Sequence, residues 1–173
     1  ALDSSDGSEV WSYETGYLVG LSSPAVADGT VYVGSFDNNL YALDASSGDE
    51  VWSFETEGYV LSSPAVVDGT VYVGSFDNNL YALDASDGSE VWRFRTDDTV
   101  GSSPAVVDGT VYVGSLDNNV YALDASSGEE LWRFGTDGEV LSSPTVVDGN
   151  VYVGSGDGRM YVLDTSDGTE EWS

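Results

Sequence analysis

Tryptophan recurs along this chain with an almost constant period. The intervals between successive tryptophans are 41, 40, 40 and 40 residues, at Trp11, Trp52, Trp92, Trp132 and Trp172. A period near 40 residues, with several short strands in each unit, is typical of the blades of a β-propeller. The spacing therefore predicts an array of near-identical units rather than one irregular core.

Three turn signals divide each unit into four strands. The pair Asp28-Gly29 and its copies predict a tight two-residue β-hairpin. Asp37-Asn38-Asn39 and its copies mark a second turn, and Ser46-Ser47-Gly48 and its copies mark a third. In such turns glycine takes a positive φ, while serine and aspartate side chains bond to their own backbone.

The segments between these turns are apolar on both alternating faces, as in Val31–Gly34 and Leu40–Leu43. Antiparallel sheets joined by hairpins usually keep one polar face, so two apolar faces indicate that each small sheet is stacked between two others. The fold class predicted is therefore all-β, a β-propeller of four-stranded antiparallel blades with four repeats per chain. A flat β-solenoid is less favoured, because its coils repeat at shorter periods.

We predict a single propeller or half-propeller domain over residues 1–173. A stub that encodes only an outer strand occupies residues 1–12. The four repeats are assigned to residues 13–52, 53–92, 93–132 and 133–173.

Charge is the most unusual feature of the composition. Asp and Glu number 31 against four basic residues, all of them arginine, and the formal net charge is -27. Unscreened like charges destabilise a compact state, whereas molar salt shortens the Debye length to about 3 Å. The composition resembles that of proteins from extreme halophiles, and we expect a halophilic protein that requires salt. An extracellular or cell-surface location is favoured, with the cytoplasm of a salt-accumulating halophile as the alternative.

The same charge balance argues against two classes of partner. Binding to nucleic acid rests on Lys and Arg that neutralise phosphates, and this chain has few such residues. No apolar stretch approaches the roughly 18 residues of a membrane-spanning helix. Neither nucleic acid nor a membrane span is therefore expected.

Histidine and cysteine are both absent. Ser-His-Asp and Cys-His catalysis, thiolate zinc sites and disulfides are thereby excluded within this chain. A pair of carboxylates of the glycosidase kind remains open. We nevertheless predict no catalytic residue, no cofactor and no metal site, because the acids that recur in every unit have a geometric role in turns.

The stretch Ala42-x-Asp44-x-x-x-Gly48-x-x-x-Trp52 resembles the tryptophan-docking motif of the pyrroloquinoline-quinone (PQQ)-like repeat family. The motif recurs in register through the whole chain. The resemblance implies that the indole of each outer strand packs against the docking segment of a neighbouring blade. The docking residues carried over are Trp11, Trp52, Trp92, Trp132, Trp172, Gly7, Gly48, Gly88, Gly128 and Gly168.

That family contains quinoprotein dehydrogenases as well as non-enzymatic scaffolds, such as the lipoprotein of bacterial outer-membrane assembly. The resemblance implies, for the dehydrogenases, eight blades, a bound calcium and commonly a vicinal cysteine pair. With four repeats and no cysteine, this chain is expected to be a non-catalytic scaffold or binding module. Part of a quinoprotein dehydrogenase-like or carbohydrate-active enzyme is one alternative, and an engineered or consensus-like repeat protein is another.

A specific binding site is best sought where the repeat symmetry breaks. The linkers between blades differ from one another, and so do a few positions around the second turn. In a four-stranded meander these elements emerge on the same face of the ring, and loops of this kind commonly carry function. The candidate binding face consists of Tyr17, Tyr59, Arg95, Asp98 and Arg159.

The chain ends break the symmetry as well. There are five copies of the tryptophan strand but four of each other strand, so one outer strand is in excess. The residue before the tryptophan is apolar at Val10 and Val51 but charged at Glu171. We expect this charge to face inward, as in strands at the unpaired edge of a sheet.

Three closures follow from the extra strand. The stub closes a four-bladed ring on its own fourth blade, it serves a second copy in an eight-bladed ring, or the segment comes from a longer propeller. Bare blade faces would expose apolar patches beyond a few hundred Å², which favours a homodimer that closes an eight-bladed ring, with another protein partner as the alternative.

Overall fold

A computed structural model covers residues 1–173 and contains sixteen β-strands in four antiparallel sheets. The first sheet contains β1 to β4, at Ala25–Ala27, Thr30–Gly34, Asn39–Asp44 and Glu50–Glu55. The second contains β5 to β8, at Ala65–Val67, Thr70–Gly74, Asn79–Asp84 and Glu90–Arg95. The third contains β9 to β12, at Ala105–Val107, Thr110–Gly114, Asn119–Asp124 and Glu130–Gly135. The fourth contains β13 to β16, at Thr145–Val147, Asn150–Gly154, Met160–Asp164 and Glu170–Trp172.

Each sheet is a simple meander, with its strands hydrogen-bonded in sequence order. The prediction of a β-propeller built from four-stranded antiparallel blades is confirmed, and the sheets are called blades 1 to 4 below. The first three outer strands continue three residues beyond the tryptophan, as in Glu50–Glu55, where Phe54 pairs with Leu40. A repeat boundary drawn at the tryptophan therefore cuts each of these outer strands in two. No helix in the structure is long and apolar enough to cross a membrane.

The hairpin turns adopt the backbone that their sequences predict. Asp28 and Gly29 both have positive φ, at 48° and 80°, which is the pattern of a type I′ turn. In the second turn Asn38 has a φ of 73°, and Gly158 holds the corresponding place in blade 4 with a φ of 88°. The last unit thus has Gly where the others have Asn, and the left-handed backbone conformation is kept because both residue types tolerate it.

Adjacent blades are held together by three equivalent apolar clusters of nine buried residues each. In the first cluster, blade 1 contributes residues of β2, β3 and β4, the linker contributes Val60, and blade 2 contributes residues of its middle strands β6 and β7. Its members are Tyr32, Leu40, Ala42, Trp52, Val60, Val71, Val73, Tyr81 and Leu83. Burial of apolar area of this kind is the main stabilising contribution at each junction.

The inner strands form an arc that does not close. β1 packs on β5, β5 on β9 and β9 on β13. A ladder of hydrogen bonds follows the same path, because the backbone amides of Ser23, Ser63 and Ser103 donate to the hydroxyls of Ser63, Ser103 and Ser143 at 2.9, 2.8 and 3.0 Å. No hydrogen bond joins blade 4 to blade 1. The four-bladed closure on its own chain is therefore not the arrangement observed.

Candidate functional site: the blade junctions and the chain ends

Three tryptophans dock on the following blade with nearly the same geometry. The indole nitrogens of Trp52, Trp92 and Trp132 donate to the backbone carbonyls of Ala85, Ala125 and Thr165 at 3.0, 2.9 and 2.9 Å. Each of these side chains is only 8% exposed. A buried indole needs a partner for its N–H, and this carbonyl supplies it.

A glycine in the docking turn makes the close approach possible. Gly88 has a φ of +74°, and a Cβ placed on it would lie 2.7 Å from the ring of Trp52. Gly48, Gly128 and Gly168 face Trp11, Trp92 and Trp132 at similarly short distances. Gly7 has a φ of +75° but nothing within 4 Å of its Cβ position. The first glycine of the series therefore has no docked tryptophan within the chain.

The stub docks on blade 1 of its own chain. The indole nitrogen of Trp11 donates to the carbonyl of Ala45 at 3.0 Å. The ring of Tyr13 lies 5.4 Å from that of Tyr41, just as Phe54 lies 5.3 Å from Tyr81 at the next junction. The segment around Trp11 thus occupies the position of an outer strand in a blade that would precede blade 1, although it belongs to none of the four sheets.

Trp172, at the other end, has no docking partner. Its side chain is 54% exposed, and its indole N–H makes no hydrogen bond. β16 pairs with β15 at two positions, Trp172 with Val162 and Glu170 with Leu163, whereas β4 pairs with β3 at five. Met160 of β15 is consequently 54% exposed, while its counterpart Leu40 in blade 1 is fully buried.

The expectation that Glu171 turns a charge inward is wrong. Its counterparts Val51, Val91 and Leu131 are 52%, 53% and 55% exposed, so the residue before each tryptophan points outward in every blade. Glu171 is exposed like the others, and its charge carries no information about pairing. The prediction failed because the residue before the tryptophan is apolar in the first three blades although its side chain is exposed to solvent.

The linkers and the second turns meet on one face, with an aspartate at each meeting point. Asp77 accepts hydrogen bonds from the hydroxyl of Tyr81 at 2.8 Å and from the backbone amide of Glu57 at 3.0 Å. The same arrangement recurs at Asp37, Asp117 and Asp157. Burial and the hydrogen bond to Asp37 raise the pKa of the Tyr41 phenol to about 12. These aspartates therefore hold each linker against the turn of the following blade.

The five residues of the candidate binding face lie on this side of the arc without forming one cluster. Tyr59, 48% exposed, stands between Phe36 and Phe76, with ring centroids 5.3 and 6.2 Å away. Arg159 approaches Asp137 at 3.7 Å. The other three lie in separate places along the face: Tyr17 is 65% exposed, Arg95 lines a cleft with Glu57 and Asp77, and Asp98 bonds to the amide of Thr99.

The acids of the third turn are engaged in turn geometry. Asp44 accepts hydrogen bonds from the hydroxyl and amide of Ser46 at 2.5 and 2.8 Å, and these bonds hold the pKa of its carboxyl below the usual value. Asp84, Asp124 and Asp164 behave in the same way. No group of three or more carboxylates is arranged to hold a metal ion. This pattern is that of Asx turns.

Comparison with known protein families gives one match that spans the chain. The PQQ_2 family model, described as outer membrane protein assembly factor BamB, matches residues 1–100 and 83–173. Comparison with curated protein sequences gives no significant match.

Several solved structures share the fold. BamB from Moraxella catarrhalis superimposes with a TM-score of 0.83 at 26% identity, over 96% of this chain and 52% of that one. The quinohemoprotein alcohol dehydrogenase ADHIIG from Pseudomonas putida HK5 has a TM-score of 0.83 at 23% identity, over 94% of this chain and 35% of that one. The computationally designed Ika4 protein has a TM-score of 0.81 at 21% identity, over 91% of this chain and 98% of that one. This chain thus spans about half the length of the Moraxella protein.

Proposed function

Because the chain belongs to the PQQ_2 family of propeller repeats, we propose that it is a non-catalytic, protein-binding scaffold that completes a larger ring by associating with a second copy. The observation that carries the proposal is the exposure of apolar residues at both ends, Val26 on blade 1 and Trp172 and Met160 on blade 4. The faces at these ends are the two complementary halves of a junction that the chain already forms three times between its own blades.

On the leading face, Val26 of blade 1 is 66% exposed, whereas its counterpart Val66 packs against the cluster of the preceding blade. On the trailing face, Trp172 and Met160 are each 54% exposed, while the equivalent Trp52 and Leu40 are buried. Trp11 and Tyr13 already cover part of the leading face, over Val33, Tyr41 and Leu43. The apolar residues left exposed favour association, because burying them removes apolar area from water.

A second copy offers the matching surface at both ends. Head-to-tail contacts close into a ring when the rotation per unit divides the circle, and two copies of four blades give eight. The length comparisons are in keeping with this number, since the chain covers 52% of the Moraxella BamB. Both junctions of such a ring are equivalent by twofold symmetry.

The face that carries the linkers and second turns is the proposed surface for a further protein partner. It presents Tyr17, Tyr59 and Asp98 from the linkers, with Arg95 and Arg159 close to the second turns. A net charge of -27 favours a partner with a basic surface, since complementary charge accelerates encounter. We further propose that the protein belongs to a halophile and functions outside the cell or at its surface.

Light scattering in molar salt tests the ring. The expected mass is twice the chain mass of 18.3 kDa. Val26→Glu on the leading face is expected to give a monomer, because the new charge would be partly buried against an apolar cluster, as Val66 is at the first junction. The matched control Val51→Glu, on the 52% exposed rim, adds the same charge and is expected to leave the dimer intact. A wild-type species of 18.3 kDa would refute self-association.

A further inference from the structure

Arginine is rare in this chain, and three of its four copies are paired with acids of the same chain. The pairs lie at 3.3, 3.2 and 3.7 Å and are Arg93–Glu90, Arg133–Glu130 and Arg159–Asp137. Arg95 is exposed, and its guanidinium forms no ion pair although the chain contains 31 acidic residues. Arg95 is therefore the one arginine whose charge has no anion beside it.

Arg95 lines a cleft of about 420 Å³, called the blade 2 cleft below. Its six lining side chains all end in polar groups and are those of Glu57, Asp77, Asn79, Tyr81, Arg93 and Arg95. Both arginines come from β8, two residues apart, so their side chains leave the same face of the sheet about 6.6 Å from each other. Like charges this close repel each other, so the pair does not stabilise the blade by itself.

The two acids of the cleft leave Arg95 without a counter-charge. Asp77 accepts hydrogen bonds from the hydroxyl of Tyr81 at 2.8 Å and from the amide of Glu57 at 3.0 Å. It also accepts one from the amide of Asn79 at 3.0 Å, so its carboxylate is occupied by the turn. The Glu57 side chain is exposed and forms no ion pair with Arg95.

Neither neighbouring blade reproduces this pair of cations. The residues at the places of Arg93 and Arg95 are Ser53 and Glu55 in blade 1, and Arg133 and Gly135 in blade 3. Blade 1 thus presents an acid at this position of its outer strand, and blade 3 presents a single arginine. Because three blades with the same fold differ here, the repeat architecture does not require the second cation of blade 2.

We propose that the blade 2 cleft binds two carboxylates of an extended acidic segment in the partner protein. The inference rests on the proposed role of the face that carries the linkers and second turns, and it names the chemistry that blade 2 recognises. A guanidinium donates two parallel hydrogen bonds to a carboxylate and is less strongly hydrated than an ammonium group. Acidic residues at positions i and i+2 of an extended segment repeat with the same spacing of about 6.6 Å as the two arginines.

The acidic surface around the cleft restricts this recognition to short range. With a net charge of -27, the chain repels an acidic segment in dilute buffer before contact is made. Molar salt shortens the Debye length to about 3 Å and removes most of that repulsion, while hydrogen bonds at contact distance remain. The basic surface proposed for the partner supplies the encounter, and the acidic segment fixes its position on blade 2.

Calorimetry of the full chain in molar salt, with a synthetic peptide as the probe, tests the site. The probe is a capped, otherwise uncharged peptide with two Glu residues separated by one Thr. Arg95→Gln is expected to raise its dissociation constant about tenfold, because one of two charge-assisted contacts is lost. The matched control Arg133→Gln removes the same charge from blade 3 and is expected to leave binding unchanged.

The acid at the rim of the cleft provides a change of opposite sign. The Glu57 carboxylate repels an incoming carboxylate, so Glu57→Gln is expected to lower the dissociation constant about two- to threefold. Glu55→Gln, at the equivalent of Arg95 in blade 1, makes the same change outside the cleft and is expected to have no effect. Equal gains in the two variants would show that general charge, and not the cleft, governs binding.

A gain of function tests whether the arginine pair is sufficient for recognition. Gly135 has only the Asn119 side chain near its Cβ position, at 3.6 Å, and its backbone is not left-handed. Gly135→Arg therefore places a second arginine beside Arg133, as Arg95 stands beside Arg93. A second equivalent of peptide is expected to bind to this variant, and an unchanged stoichiometry would overturn the role of the pair.

The spacing and the peptide itself have their own controls. A peptide with two adjacent Glu residues sends its carboxylates to opposite sides of an extended chain and is expected to bind about tenfold more weakly. Equal affinity for this peptide would overturn the match in spacing, and equal affinity for free glutarate would overturn a peptide as the ligand. No binding of the probe at about 10 mM would overturn the site altogether.

The site and the ring fail in different ways. A wild-type monomer in molar salt refutes the ring but not the site, because the lining residues all belong to blade 2 and to the linker that precedes it. A wild-type dimer that does not bind the probe refutes the carboxylate site and leaves the ring in place.

Discussion

Trp92 and Trp172 stand at the same place in the repeat but in opposite environments. Trp92 is 8% exposed and donates to the carbonyl of Ala125, whereas Trp172 is 54% exposed and donates to nothing. The motif around each is nearly the same, so the motif alone does not bury an indole. Docking belongs to a pair of adjacent blades, as expected in an array whose stability is a sum over neighbouring units.

The same contrast separates Trp11 from Trp172 at the two ends. Trp11 lies outside every sheet yet has a docking site, while Trp172 lies in a strand and has none. The tryptophan of each blade is therefore buried only when a following blade is present. The docking turn of each blade is covered only when a tryptophan precedes it. The docking turn at the leading end is therefore occupied by Trp11, whereas the tryptophan at the trailing end, Trp172, has no docking turn to bind.

The largest expected effect is that of removing a docked indole. Trp92→Ala is expected to lower the free energy of unfolding by about 3–5 kcal/mol, because it empties a buried site at a blade junction. Trp172→Ala should change it by no more than about 0.5 kcal/mol, as for other exposed side chains. Urea unfolding in molar salt measures both. Equal losses would contradict the distinction between the interior junctions and the trailing end.

A pair of glycine substitutions separates the docking contact from backbone strain. Gly88 and Gly7 have the same left-handed backbone, with φ of +74° and +75°, but only Gly88 has an indole 2.7 Å from its Cβ position. Alanine at either position is expected to lower the stability by about 1–2 kcal/mol, because it must adopt the left-handed backbone conformation. Gly88→Ala is expected to cost about 1–3 kcal/mol more through overpacking. Thermal unfolding of the two variants measures this difference in stability directly. Equal losses would mean that the turn around Gly88 moves enough to accept a Cβ without displacing Trp52.

The serine ladder offers a smaller comparison. Ser103 Oγ accepts from the amide of Ser63 at 2.8 Å, while Ser23 Oγ accepts from no amide within the chain. In the Val26→Glu background, which is expected to be monomeric, Ser103→Ala should cost about 1 kcal/mol and Ser23→Ala almost nothing. Chemical denaturation measures both values. A cost at Ser23 in the monomer would show that the arc closes on itself.

The smallest effect concerns acid. Hydrogen bonds from the Ser86 hydroxyl and amide lower the pKa of Asp84 in the folded state from its ordinary value of 3.8. A lowered folded pKa contributes stability that is complete above the unfolded value and is lost as pH falls through the folded one. The Tm in molar salt is therefore expected to fall below about pH 4, and less steeply in Asp84→Asn.

Asp3 provides the control for this titration. The hydroxyl and amide of Ser5 lower its pKa in the same manner, but its turn lies in the stub, outside the four blades. Asp3→Asn should therefore leave the Tm profile unchanged. An equal change in the two variants would mean that the stub unfolds together with the blades.

Local features of the fold were predictable because they depend on short-range chemistry. Asp28-Gly29 predicts a type I′ turn, since aspartate and glycine tolerate the two positive φ angles that it requires. The apolar faces of Leu40–Leu43 predict stacking on both sides, and Leu40, Ala42 and Leu43 are almost completely buried. The resemblance predicts docking at Trp52, and the indole of Trp52 donates to the Ala85 carbonyl of the next blade at 3.0 Å.

Features that depend on neighbouring blades were harder to predict. Glu171 was misread because the apolar residues at its position lie on an exposed rim rather than in a junction. The contact between the rings of Tyr13 and Tyr41, 5.4 Å apart, was missed because the two residues meet only when the stub packs on blade 1. The signal that could have found it is that Tyr13 follows Trp11 by two residues, just as Phe54 follows Trp52.

The sequence by itself determined the unit: four strands, three turns and a tryptophan, repeated with a period that favours stacked blades. Each of these features arises within about 40 residues, where turn chemistry and alternation of side chains decide the structure. The tertiary structure decided that the arc stays open and that Trp11 rather than Trp172 has a docking site. These outcomes depend on which blade lies beside which, and near-identical repeats contain almost no local signal for that choice.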